Sequence, residues 1–217
     1  MRSFSITAKV SGVAVATAAL VGAGLFSANA VAAEDRPIDP ADAPEIMERP
    51  WPEHGVGETH ANVWVVSNYL TVEFDDNGDP YWPHDPTEEL DEELSEAIEQ
   101  YQQDNGMGDH GHIHEELWGH FSEGQFGGAA FDWGPGDGRD FYTQGDSGEG
   151  VESVQYMLID HGYLDEDEPD GQYGPVTEEA VEDFQANEVC PELSISQQDC
   201  VDGLAGAVTY RALVTIE

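Results

Sequence analysis

Apolar residues recur at helical spacing in the C-terminal third of the chain. Val151, Val154 and Leu158 fall on one helical face, with Met157 beside them. Gly145-Asp146-Ser147 offers N-capping residues ahead of that face, Gly162 follows as a C-cap, and Tyr163-Leu164 returns to the core. Asp170-Gly171 is a turn pair, and Pro175 stands where the first position of a helix tolerates proline. Ala180, Val181 and Phe184 give a second apolar face. Asp202-Gly203 repeats the turn, and Tyr210, Leu213 and Val214 mark a third. The pattern predicts three short helices joined by glycine-containing turns.

Elsewhere the pattern divides the chain. Arg2 and Lys9 precede a stretch from Val10 to Phe26 built mostly of Ala, Val and Gly, and Ala28-Asn29-Ala30 and Ala30-Val31-Ala32 both fit signal-peptidase sites. Residues 1–32 are therefore expected to be a signal peptide, since the stretch is short and weakly apolar for a membrane anchor. Residues 33–57 carry Pro37, Pro40, Pro44, Pro50 and Pro52 among many acids and read as an extended linker. A second break, 122–144, is punctuated by Gly127-Gly128 and Gly134-Pro135-Gly136. It also holds Phe126, Phe131, Trp133, Phe141 and Tyr142, too many aromatics for a simple flexible connection. Two blocks remain, 58–121 and 145–217.

The succession Gly145-Asp146-Ser147-Gly148, Val151, Val154-Gln155, Leu158, Gly162-Tyr163-Leu164, then Asp170-Gly171-Gln172-Tyr173-Gly174-Pro175-Val176-Thr177, Ala180-Val181 and Phe184-Gln185, is similar to the three-helix peptidoglycan-binding domain. Asp202-Gly203-Leu204, Thr209-Tyr210 and Leu213 look like that family's closing element. The stretch between Glu188 and Val201 is longer than the family usually has and carries both cysteines. The 58–121 block looks like a degenerate copy. Val63, Val66 and Leu70 stand where Val151, Val154 and Leu158 do, and Ala97-Ile98 with Tyr101-Gln102 echoes Ala180-Val181 with Phe184-Gln185. Gly111, Leu117-Trp118 and Phe121 echo Gly203, Thr209-Tyr210 and Leu213, while Thr87-Glu88-Glu89-Leu90 stands where Asp-Gly is expected. The resemblance implies an all-α fold of two tandem three-helix bundles that attaches to peptidoglycan without catalysis. Gln155, Gln172, Tyr173 and Gln185, the polar and aromatic members of the matched motifs, are its candidate ligand contacts. A shallow groove of amides, hydroxyls and an aromatic face would suit a glycan with peptide stems.

Charge narrows the partners. The chain holds 46 acidic and 6 basic residues, a net charge of −40. Beyond residue 32 only Arg36, Arg49, Arg139 and Arg211 are basic. Nucleic acid and anionic membranes both need a positive surface and are excluded as electrostatic partners. Such acidity suits a salty exterior, and equally it suits plain solubility. An exported, local, even pair of cysteines, Cys190 and Cys200, is expected to form a disulfide.

Candidate chemistry fails position by position. His114-Glu115 lacks the second histidine that metalloprotease spacing requires, since Trp118 stands there. Asp109, His112 and His114 match an acid with histidines at +3 and +5, with His84 and Asp91 upstream, which resembles the zinc ligands of D-Ala-D-Ala peptidases. The cluster lies in a small, highly charged block with little chain to build a cleft, so it is read as a solvated loop. Asp75-Asp76-Asn77-Gly78-Asp79 begins like a calcium loop but ends on Pro86 where a bidentate Glu is needed. No nucleophile motif occurs. The expectation is a secreted or wall-associated binding protein with no catalytic residues, metal or cofactor. A small zinc-dependent wall peptidase using His112 and His114, and an envelope protein–protein module reusing the fold, are the alternatives.

Overall fold

The three faces expected in the C-terminal block form helices at the expected places. The computed structural model describes residues 36–216 apart from 109, 128–130, 132 and 166–168, so the signal-peptide reading and Asp109 lie outside the described residues. In chain order the helices are α1 (Pro44–Met47), α2 (Ala61–Leu70), α3 (Glu92–Asp104), α4 (Glu115–Phe126), α5 (Glu149–Asp160), α6 (Pro175–Phe184), α7 (Gln197–Cys200) and α8 (Ala207–Thr215). A two-residue antiparallel ribbon pairs β1 (Phe141–Tyr142) with β2 (Ala205–Gly206). The all-α class holds for the described residues. None of their helices is long and apolar enough to cross a membrane.

Local chemistry sets the helix ends. The Asp91 side chain accepts from Leu94 N at 2.8 Å and caps α3, and Ser196 caps α7 through Asp199 N. Pro175 opens α6, as its position predicts. The expected cap of α5 differs: no side chain caps it, Gly148 stands at the N-cap, and Ser147 instead bridges to Gln172. At the other end Gly162 (φ 79°) follows His161 in the left-handed conformation that glycine adopts without strain. After α6 the chain tightens through a π-turn (Gln185–Val189) and a 3-10 turn (Cys190–Glu192) into the segment closed by the disulfide Cys190–Cys200, whose Cα atoms are 5.8 Å apart.

The described residues belong to one compact unit, Asp35–Glu217. Its centre is a seam between α2 and α5. Trp64 stacks on Tyr156 at 3.9 Å, and Asn68 Nδ2 donates to Glu149 O (3.1 Å) and Ser153 Oγ (3.2 Å). Deeper in, the Tyr69 hydroxyl lies 3.1 Å from Tyr210 OH and 3.4 Å from Gln125 Oε1, which Tyr142 OH also approaches at 3.1 Å. Burial pushes the Tyr69 phenol up to about 12, so it stays a donor at neutral pH.

Both stretches read as connections are packed into this core. α4 runs on to Phe126, and Phe126, Trp133 and Tyr142 are buried, as the density of aromatics suggests. Gly150 lies where a Cβ would sit 1.9 Å from Tyr142 OH, so only glycine admits that ring against α5. The stretch expected to be an extended linker, 33–57, departs further. Ile38, Ala43, Ile46 and Trp51 are buried, and Trp118 Nε1 donates to Pro52 O at 3.1 Å. Trp51 is held between the Trp118 ring (5.7 Å) and the Arg211 guanidinium (3.6 Å). Prolines and acids disguised four apolar anchors, each too isolated to give a periodic pattern.

Candidate functional site

The turn chemistry of the C-terminal block is built on glutamines. Gln155 projects from α5 and is 1% exposed. Its Oε1 accepts from Asp170 N (3.1 Å) and Gly171 N (2.8 Å), and its Nε2 shares its two hydrogens among Asp170 Oδ1 (2.9 Å), Thr177 Oγ1 (3.0 Å) and Gln172 O (3.1 Å). Gln185, at the end of α6, repeats the arrangement on the next turn. Its Oε1 accepts from Asp202 N (2.9 Å) and Gly203 N (3.0 Å), and its Nε2 shares its two hydrogens among Asp202 Oδ1 (2.7 Å), Thr209 Oγ1 (3.0 Å) and Leu204 O (3.1 Å). Gly171 and Gly203 both have φ 67°, which lets successive N–H groups converge on one oxygen. Tyr173, buried, donates from its OH to Gly203 O at 2.8 Å and ties the first turn to the second.

Two further clasps stand in the 58–121 block. Gln102 Oε1 accepts from His110 N (3.3 Å) and Gly111 N (3.0 Å), and its Nε2 donates to His112 O (2.8 Å). At the position one residue after Val66, Ser67 replaces glutamine. Its hydroxyl accepts from Thr87 N (2.9 Å) and lies 3.1 Å from Thr87 O.

Of the four candidate contacts, then, Gln155, Tyr173 and Gln185 have their polar side-chain atoms engaged inside the protein, while Gln172 is exposed. The first turn and the entry to α5 face each other across a groove of about 500 Å³ lined by Gly145–Glu149, Glu152 and Asp170–Gly174. Ser147 and Gln172 bridge its floor, and Gly148 N donates to Gly171 O at 2.9 Å. Its carboxylates are largely structural: Asp146 accepts from Arg139 Nη1 and Thr143 N, both at 2.9 Å, and Asp170 Oδ1 accepts from Gln172 N at 2.9 Å. Burial raises the Glu152 pKa, the mark of a carboxyl with restricted access to water.

The histidine loop forms a cluster. The rings of His110, His112 and His114 lie 5.0–5.4 Å apart, and donor atoms of His110, His114 and Glu116 fall within 4.8 Å of one another. His114 is also the N-cap of α4, its Nδ1 accepting from Glu116 N (3.1 Å) and Leu117 N (3.3 Å). In a neutral ring that puts the proton on Nε2 and withdraws that atom from metal binding. His84 stands apart, facing Glu93 at 3.1 Å, and Asp91 is spent on the α3 cap. In the calcium-like loop Asp75 Oδ1 accepts from Asn77 N (2.8 Å) and Asp79 N (3.0 Å), closing the turn on itself.

No curated protein and no solved structure matches the chain. Residues 147–189, which contain Gln155, the clasped Asp170-Gly171 turn and most of the groove, match the family described as “Putative peptidoglycan binding domain”.

Proposed function

We propose that this is an exported protein that attaches non-catalytically to peptidoglycan through the groove between the 145–149 and 170–174 turns. The observation that carries the reading is the coincidence of the family match with that groove. Within it, Gln172 and the exposed backbone of the turn supply ligand contacts, and Gln155, Gln185 and Tyr173 hold the turns in shape. The 58–121 block is a second copy of the module, supported by Gln102 clasping Gly111 as Gln185 clasps Gly203. It lacks the groove turn, so the C-terminal module carries the binding.

Retention on purified sacculi tests this. The contacts are neutral, whereas a chain of net charge −40 is repelled by anionic wall polymers, so retention should rise from low to molar sodium chloride, with chelator present. Gln172→Ala should lower retention severalfold without changing the fold. Retention that falls steadily with salt, or that ignores Gln172→Ala, overturns the reading.

A second reading, a zinc-dependent wall peptidase, is favoured by the convergence of His110, His114 and Glu116. It requires His114 to exchange its helix-capping role for a metal. Stoichiometric zinc together with chelator-sensitive release of peptides from sacculi would establish it. An envelope protein–protein module would leave the sacculi unbound and retain a protein partner.

A further inference from the structure

The N-terminal segment, the start of α2 and the ends of α5 and α8 enclose a second cavity of about 450 Å³. Trp51, His54, Asn62, Met157, Asp160 and Leu213 line it, and none of these lines the groove. Two of its polar side chains are buried and incompletely bonded. His54 is 9% and Asn62 is 2% exposed, and neither His54 Nε2 nor Asn62 Oδ1 has a hydrogen-bond partner among the described residues.

Their other bonds define what each lacks. Asn62 Nδ2 donates to Val214 O at 3.3 Å, which orients the amide and leaves its oxygen as an unmet acceptor. His54 Nδ1 faces Glu58 Oε2 at 3.2 Å, and a carboxylate only accepts, so the ring proton sits on Nδ1 and Nε2 presents a lone pair. Burial, and after it the neighbouring His60, lower the His54 pKa and keep the ring neutral. Buried acceptors left unmet are costly, and a donor entering the cavity relieves them.

The rest of the lining says which donor. Glu53 and Asp160 add carboxylates, while Trp51, Met157 and Leu213 add apolar wall. No lysine or arginine lines the cavity among the described residues. Arg211, over the Trp51 ring, is bonded to Arg49 O through Nη2 while its Nε has no partner among the described residues, and Arg49 is paired with Glu192. The net charge of −40 draws cations toward the chain from a distance.

We propose that this cavity binds a primary aliphatic ammonium group, its N–H bonds directed to Asn62 Oδ1 and His54 Nε2 and its alkyl chain lying along Met157 and Leu213. The inference does not rest on wall attachment. An amine carried on a peptide side chain and a free diamine share this chemistry.

Titration calorimetry on the full exported chain tests it, at about 0.5 M sodium chloride, where attraction to surface carboxylates is screened. The probes are Nα-acetyl-lysine amide, cadaverine and Nα-acetyl-norleucine amide, which lacks the amine. The expected result is saturable one-to-one binding of an amine probe, with the norleucine derivative at least about tenfold weaker. Binding of the lysine derivative identifies the peptide-borne amine as the source, and binding of cadaverine alone identifies the free diamine. Asn62→Leu should weaken binding about tenfold, and Asp160→Asn, at an exposed position that does not endanger folding, by severalfold. Equal binding of the norleucine derivative, absence of saturable binding by both amines, or an affinity unchanged in Asp160→Asn and Asn62→Leu would overturn the proposal.

Discussion

The two blocks hold their turns by the same device made from different residues, and the difference separates fold from function. In the 145–217 block Gln155 reaches from α5 and gathers two N–H groups, a carboxylate and a hydroxyl around Asp170-Gly171. In the 58–121 block the position one residue after the second valine is Ser67, whose short hydroxyl accepts from Thr87 N and otherwise bonds Trp64 O within its own helix. The turn that the glutamine holds lines the groove, whereas the serine binds the Thr87 backbone directly to its helix. Where both blocks keep the glutamine, at Gln102 and Gln185, both keep a left-handed glycine in the turn, Gly111 (φ 62°) and Gly203 (φ 67°). The helix-to-turn bond is common to both blocks, and the side chain that makes it differs in reach.

The largest effect that would sharpen this comparison is expected at Gln185. Gln185→Leu removes five hydrogen bonds at a fully buried site and strands Asp202 N and Gly203 N, while Leu204 O keeps the Thr209 hydroxyl. Leaving several buried groups unmet should cost at least about 3 kcal/mol in urea-induced unfolding. A loss below about 1 kcal/mol would mean that the turn is held by its neighbours instead.

Next is the disulfide, which has no counterpart in the first block. Replacing Cys190 and Cys200 together by alanine should cost about 2–3 kcal/mol, from the loop-closure entropy of a short loop. Intact-mass measurement on exported protein should first show two thiols oxidised; two free thiols would contradict the pairing.

Ser67→Ala should cost about 1 kcal/mol, because Thr87 N loses its acceptor and Trp64 O one donor. If it destabilised as much as Gln185→Leu, the serine clasp would be the glutamine's equal and the distinction drawn above would fail.

The smallest effect is a regional response to pH. In the first block burial lowers the pKa of His120, and burial with the neighbouring imidazoles lowers that of His114, from 6.5. The unfolded chain therefore binds protons first, and the associated stability is complete above pH 6.5 and declines as pH falls toward the folded-state values. In the second block burial raises Asp202 from 3.8 and Glu152 from 4.5, with the opposite sign: their contribution is complete below those values and is lost as pH rises through the folded ones. Hydrogen exchange at pH 7.5 and 5.5, corrected for intrinsic rates, should show α3 and α4 losing protection on acidification while α5 and α6 hold or gain. Uniform loss across both blocks would refute the assignment.

Much of the second block was legible because α5 and α6 bury apolar residues at helical spacing. The positions of Val151, Val154, Leu158, Ala180, Val181 and Phe184 announce that geometry, and all are buried. α2 was harder to read. It is enclosed on nearly every side, so Asn62, Ser67 and Asn68 are buried beside Val63 and Val66, and no polar face marks its surroundings. The glutamines show the deeper limit. Spacing identifies an amide beside an apolar face, but whether it serves a ligand or its own backbone depends on where a turn some fifteen residues later returns, a tertiary fact. The ribbon Phe141–Tyr142 with Ala205–Gly206 is too short to alternate, and His54 lay in a stretch whose prolines pointed to an extended chain.

The bond from Tyr173 OH to Gly203 O carries a mechanical consequence. On the attachment proposed above, the groove is loaded whenever the wall stretches or sheds. Tension on the 170–174 turn passes into α5 through Gln155 and, by way of Tyr173, into the turn that precedes α8. The load is thus divided between two anchorages, and α5 leans on α2 through the Trp64–Tyr156 stack. Peeling the groove turn from its helix must also dislodge a fully buried phenol, so the turn yields only together with the body behind it.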